Sequence, residues 1–168
     1  DINGEYFWWS VDTDDVEYAL YDMNGDGIHE LLVRAYGEWI ADVIQYRDGK
    51  IQYAYVANLG SSGQTFINNK NQFVSVDSGH QGRNCCAVSE VGEPQNAKVV
   101  FYLVNYYDDW AASGVPEYYK KENPTEHNLD HEEFDPISEA EYHELLKEYT
   151  QENLSINWRP LAEVENIR

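Results

Sequence analysis

The nine residues Asp22-Met23-Asn24-Gly25-Asp26-Gly27-Ile28-His29-Glu30 set oxygen donors at alternate positions around a glycine turn. That spacing is calcium chemistry. A hard cation of this size takes about six to eight oxygens at roughly 2.3–2.6 Å, and a short loop supplies them from side chains at positions 1, 3 and 5, a carbonyl at 7 and a late acid. Asp22, Asn24, Asp26, the carbonyl of Ile28 and Glu30 fit that scheme as metal ligands. The alternative is a metal-free turn, because Asn-Gly and Asp-Gly both favour hairpins. A plain turn, however, has no need of three carboxylates that repel one another when uncompensated. An EF-hand is excluded, since its twelfth position is a bidentate Glu and here it is Val33.

Other groupings of reactive residues are weaker. His127 and His131 would share a helix face with Glu132 and Glu133 nearby, but the segment lies between Pro124 and Pro136 and lacks the His-Glu-x-x-His pattern of zinc proteases. Gly60-Ser61-Ser62-Gly63 has neither the spacing of a nucleophile elbow nor the Lys of a phosphate loop, and no nucleophile accompanies Gly79-His80. Asp108-Asp109-Trp110 combines acids with an aromatic ring, as sugar sites do, without a second acid assignable to it. No catalytic residue is assigned, and the expectation is a protein that is not an enzyme. Fourteen Tyr and five Trp form the second signal, because rings standing on a sheet face can stack on sugars. Trp8, Trp9, Trp39, Tyr53, Tyr55, Tyr106 and Tyr107 are the candidates for such a face, with Trp39, Tyr106, Tyr107 and Trp110 as the ligand-binding set. Core packing competes with that role, and Tyr53 and Tyr55, sharing a strand face with Ile51, are expected to lean inward.

The elements that must position these groups are mostly strands. Tyr18-Ala19-Leu20-Tyr21 enters the acidic loop and Leu31-Leu32-Val33 leaves it, so the loop joins two strands. Alternation over Trp39 to Tyr46 and Ile51 to Val56 about Arg47-Asp48-Gly49-Lys50 predicts a hairpin with a two-residue turn. A second hairpin is expected from Thr65-Phe66-Ile67 and Gln72 to Val76 about Asn68-Asn69-Lys70-Asn71, and a third from Cys85–Val91 and Lys98–Tyr107. Ser138-Glu139-Ala140-Glu141 is a capping box, and Tyr142, Leu145, Leu146 and Tyr149 form one helical stripe behind it. An irregular connection is expected from Trp110 to Pro136, and a short strand or extended tail from Ser155 to Trp158. The fold class is therefore α+β and mostly β: an antiparallel, meander-like sheet of about six or seven strands with a C-terminal helix packed on it.

A chain of 168 residues, 42% hydrophobic and 14% aromatic, is expected to form one domain over residues 1–168. Its net charge of −20 comes from 31 acidic against 11 basic residues, with no Lys or Arg before Arg34. Such a field repels phosphate backbones and anionic lipid, so no nucleic-acid partner is expected. The longest apolar run, Val99 to Val104, is too short for a membrane span. Cys85 and Cys86 are adjacent, so in a strand they point to opposite faces and a disulfide between them would be strained. A start at Asp1 without methionine fits a trimmed secretory or lipoprotein signal, or an excised piece. A simple loop of this kind binds calcium at about 10⁻⁴–10⁻³ M and fills where calcium is millimolar, so the expected location is extracellular or the cell surface.

Tyr18-Ala19-Leu20-Tyr21-Asp22-Met23-Asn24-Gly25-Asp26-Gly27-Ile28-His29-Glu30-Leu31-Leu32-Val33, with Tyr46-Arg47-Asp48-Gly49-Lys50, resembles the opening of uncharacterised secreted domains and lipoproteins of Gram-positive, often gut-dwelling bacteria. Ile137-Ser138-Glu139-Ala140-Glu141-Tyr142 and Trp158-Arg159-Pro160-Leu161 resemble their closing segment, and the acidic loop is arranged as in the Asp-x-Asp-x-Asp-Gly loops of integrin-type repeats. The resemblance implies a secreted or surface-anchored protein with a sheet-and-helix fold and no assigned activity. The functional expectation is a noncatalytic, calcium-stabilised extracellular domain whose other partner is a glycan or another surface protein; a carbohydrate-binding module is the alternative, and a surface hydrolase using Asp108 or Asp109 the third.

Overall fold

The computed structural model describes residues 15–35, 39–56, 63–77, 83–90, 97–104, 116–124 and 134–165. The chain opens as a meander of β1 (Val16–Tyr21), β2 (Glu30–Ala35), β3 (Trp39–Arg47) and β4 (Lys50–Val56). A short β11 (Arg159–Pro160) returns to pair with β1, giving a five-stranded antiparallel sheet in the order β11-β1-β2-β3-β4. A second antiparallel sheet holds β5 (Gly63–Ile67), β6 (Gln72–Asp77), β7 (Arg83–Glu90), β8 (Ala97–Val104), β9 (Glu117–Glu122) and β10 (Asp135–Pro136), in the order β10-β9-β8-β7-β6-β5. The helices among the described residues are α1 (Glu139–Tyr149) and α2 (Ala162–Glu165).

The α+β, mostly β class holds, but the strands form two sheets where the sequence suggested one. The physical reason is burial. The inner face of the first sheet carries Ala19, Leu32, Ile40 and Val43, and it buries against Ile67 and Phe73 at the edge of the second. One continuous ribbon would leave that face in water. Register shifts at Val33/Arg34 and Val43/Ile44 add local twist to the first sheet. Ile156 joins the same core from the C-terminal segment, and Trp158 packs on it. Arg34 stacks its guanidinium over the Trp158 ring at 4.3 Å and pairs with Glu17 at 2.8 Å.

The three expected hairpin pairs are present as β3–β4, β5–β6 and β7–β8, and the turn of the third, with residues 105–107, lies outside the described residues. Asp48 and Gly49 have φ of 54° and 75°, the left-handed pair that a two-residue turn between twisted strands requires. Strand β9 is a correction: the stretch from Trp110 to Pro136 was expected to be irregular, yet Glu117–Glu122 pairs with β8 along its whole length. Its sequence, Glu-Tyr-Tyr-Lys-Lys-Glu, has no apolar alternation, and its four central residues are half-buried. Helix α1 is capped as expected, with Ser138 Oγ accepting from the Glu141 amide at 3.2 Å. Tyr142 and Leu145 are buried, and Leu146 and Tyr149 pack beside them, against Val74, Cys86, Val88 and Phe101. Cys85 and Cys86 are not joined in a disulfide and lie on opposite faces of β7, Cys86 in that core and Cys85 beside Ala87 and Val100. Burial pushes the Cys86 thiol well above its ordinary range.

Candidate metal loop

The residues between β1 and β2 curl through Gly25 and Gly27, whose φ values are 76° and 85°. A side chain at either glycine would meet no atom within 4 Å, so backbone conformation and not space demands glycine there. The curl aims amides inward. Asp22 Oδ1 accepts from the Gly25 and Asp26 amides at 2.8 and 3.1 Å, and Oδ2 from Gly27 at 3.0 Å. Asn24 Oδ1 accepts from Asp26 at 2.9 Å, and Asp26 Oδ1 from Ile28 at 2.7 Å. These bonds fix the rotamers of three of the expected ligands and leave part of their lone-pair capacity unused, since each carboxylate oxygen offers two acceptor positions.

Glu30 closes the loop from the first residue of β2. It is 5% exposed; its Oε2 accepts from the Met23 amide at 2.8 Å and its Oε1 lies 3.4 Å from the Asn24 amide nitrogen. Burial raises its pKa above the ordinary Glu value, the hydrogen bond from Met23 opposes that shift, and the negative charges of Asp26 and Asp22 add to it. The cluster therefore repels itself, which a bound cation would relieve. Ile28 exposes its side chain, so its part in a metal site would be played by its carbonyl. Among the described residues no three His, Cys, Asp or Glu side chains form a ready-made cage. The loop's donor set instead mixes three acids with an amide oxygen and a carbonyl, and Glu30 would exchange hydrogen bonds for metal contact.

The loop is fastened to the rest of the molecule at Met23. Its side chain is buried in the core with Ile67 and Phe73, and its carbonyl accepts from Asn71 Nδ2 at 2.6 Å. Asn71 holds φ of 61°, which Asn tolerates better than most residues, and its Oδ1 accepts from the Tyr21 hydroxyl at 2.9 Å. Asn153 Nδ2 donates to the same hydroxyl at 3.0 Å. Asn68 anchors this turn from a fully buried position: its Oδ1 accepts from the Lys70 and Gln72 amides at 3.0 and 2.8 Å, and its Nδ2 donates to the Tyr149 carbonyl at 3.1 Å. Sequence reasoning took Asn68 to Asn71 only as a polar turn. Its density of asparagines was the available signal, because an amide that both donates and accepts is suited to bridge two backbones.

The aromatic candidates divide differently. Tyr53 was expected to lean inward with Ile51, but both are exposed, at 45% and 68%. The face they share points away from the core, while Ala54 turns inward against it. Trp39 lies at the start of β3 and Tyr55 within β4, with side chains outside the described residues; Trp8, Trp9, Tyr106, Tyr107 and Trp110 lie wholly outside them. So do Asp108, Asp109, His80, His127, His131, Glu132 and Glu133. One buried acid was not anticipated. Asp42 on β3 is 6% exposed opposite Val33, has no hydrogen-bond or ion-pair partner among the described residues, and has its pKa raised by burial. No helix among the described residues is long and apolar enough to cross a membrane.

No protein-family model, no curated protein and no solved structure matches the chain.

Proposed function

We propose that this is a noncatalytic, extracellular calcium-binding domain in which the metal is structural. The observation that supports it is the Asp22–Glu30 loop: Asp22, Asn24 and Asp26 are oriented by backbone amides, and a buried Glu30 closes the set under repulsion from two neighbouring acids. Asp22, Asn24, Asp26, the Ile28 carbonyl and Glu30 would hold the ion, which would supply charge compensation and cross-linking of the loop. Because the loop connects two strands and is fastened at Met23, it lacks the helix pair that opens in calcium sensors. The extracellular assignment follows from the weak affinity of such sites and the abundance of calcium outside cells. No geometry among the described residues favours the glycan-binding or hydrolase readings over this one.

The test is thermal unfolding of chelator-treated protein with and without calcium, paired with far-ultraviolet circular dichroism. The expected result is a higher melting temperature with an unchanged spectrum, and loss of the increment in Asp26→Ala. A large change of secondary structure on calcium removal would contradict a structural metal.

A further inference from the structure

The outer face of the first sheet carries an apolar patch that belongs to no core cluster among the described residues. Pairing puts Leu20 opposite Leu31, Leu31 opposite Ile44 and Ile44 opposite Tyr53, so one row crosses four strands on a single face. Tyr46 and Ile51 form the next row. Leu20, Tyr46, Ile51 and Tyr53 are 63%, 54%, 68% and 45% exposed. Single exposed apolar residues need no explanation, but a contiguous row does. None of these six positions is charged, in a chain where 25% of residues are.

We infer that this face docks on the same face of a second copy of the chain, as a two-fold dimer with the symmetry axis parallel to the strands. The inference does not rest on the calcium reading, although an ion in the loop would compensate part of the charge it uses. Charge placement selects both occupant and arrangement. The acidic loop holding Asp22 and Asp26 joins β1 to β2, and the turn Arg47 to Lys50 joins β3 to β4; antiparallel pairing puts both at the same end of the sheet, on opposite sides of it. A two-fold axis along the strands lays β1 of one copy over β4 of the other without reversing the ends. Each anionic loop then meets the partner's Arg47 and Lys50, which outnumber Asp48 in that turn. Elsewhere two chains of charge −20 repel. Stacked sheets lie about 10 Å apart and pack within about 30° of alignment, which this arrangement satisfies.

The patch sets the strength. Six positions, spaced about 4.8 Å across the strands and about 7 Å along them, cover on the order of 200 Å² per copy, a quarter of the roughly 800 Å² per partner in a standard interface. The dimer is therefore weak and reversible.

Sedimentation equilibrium of the full chain in calcium-free buffer, from about 10 μM to about 1 mM, tests the inference across the range where weak complexes populate. The expected result is a mass rising with concentration from 19.5 kDa toward twice that value. Leu20→Glu and Tyr53→Glu, on opposite strands of the patch, should each weaken association by at least about tenfold at unchanged melting temperature, and Arg47→Glu should weaken it by several-fold. A monomer throughout the range would overturn the inference. So would Leu20→Glu associating as the parent does, since that would place the contact at the edge of β4 or elsewhere.

Discussion

Glu30 and Asp42 are both buried carboxyls of the first sheet, and burial raises the pKa of each. Glu30 accepts from the Met23 amide and lies beside Asn24, with two other acids of the loop near enough to repel it. Asp42 is set opposite Val33 on one side and Val56 on the other, with desolvation as the cause of its shift. Burial alone therefore does not mark a functional acid. A carboxylate oriented by donors within a cluster of oxygen atoms is suited to a cation, whereas an isolated one is a cost to the fold.

The largest effect expected from this contrast is at Glu30. Glu30→Ala should remove calcium binding and destabilise the metal-free protein by about 2–3 kcal/mol, because the Met23 amide is left buried without its acceptor. Denaturant unfolding with chelator present checks the second part. Calcium itself should stabilise the parent by roughly 1.4 kcal/mol at ten times its dissociation constant. The increment should shrink as pH falls through the Glu30 pKa, since protons and metal compete for the same carboxylate.

Asp42 should respond in the opposite direction. Asp42→Asn is expected to stabilise the protein by about 1 kcal/mol at pH 7 by removing a buried charge. The sign of its pH dependence follows from the raised value. The proton favours the folded state, so this stability is fully present below the ordinary Asp value of 3.8 and is lost as pH rises through the higher folded value. Unfolding curves of parent and variant from pH 3 to pH 8 should converge at the acid end. A variant less stable than the parent at pH 7 would show that Asp42 is compensated and not isolated.

An effect of the same size is expected at the fastening of the loop. Asn71→Ala should cost about 1 kcal/mol in stability and weaken calcium binding by a few-fold, because the Met23 carbonyl and Tyr21 hydroxyl lose their shared partner. Unchanged calcium affinity would mean that the loop keeps its shape without the second sheet.

What could be read from the sequence was local. The acidic loop, the Asp48-Gly49 turn, the split orientation of Cys85 and Cys86 and the capping of α1 by Ser138 each depend on spacing within a few residues. What could not be read was tertiary. Nothing local in Glu117–Glu122 announces a strand, because its pairing with β8 supplies what alternation would otherwise signal. Tyr53 and Ile51 have the right period for a buried face, but only the position of the second sheet decides which face of β4 is inside. Asn71 has no interest as a turn residue until Met23 is brought against it across 48 positions of sequence.

Calorimetric titration of calcium into chelator-stripped protein tests the central claim most directly. Saturable binding of one ion at about 10⁻⁴–10⁻³ M, absent in Asp26→Ala and Glu30→Ala, is the predicted result. No saturable binding below about 10 mM, the upper edge for a weak extracellular site, would contradict it.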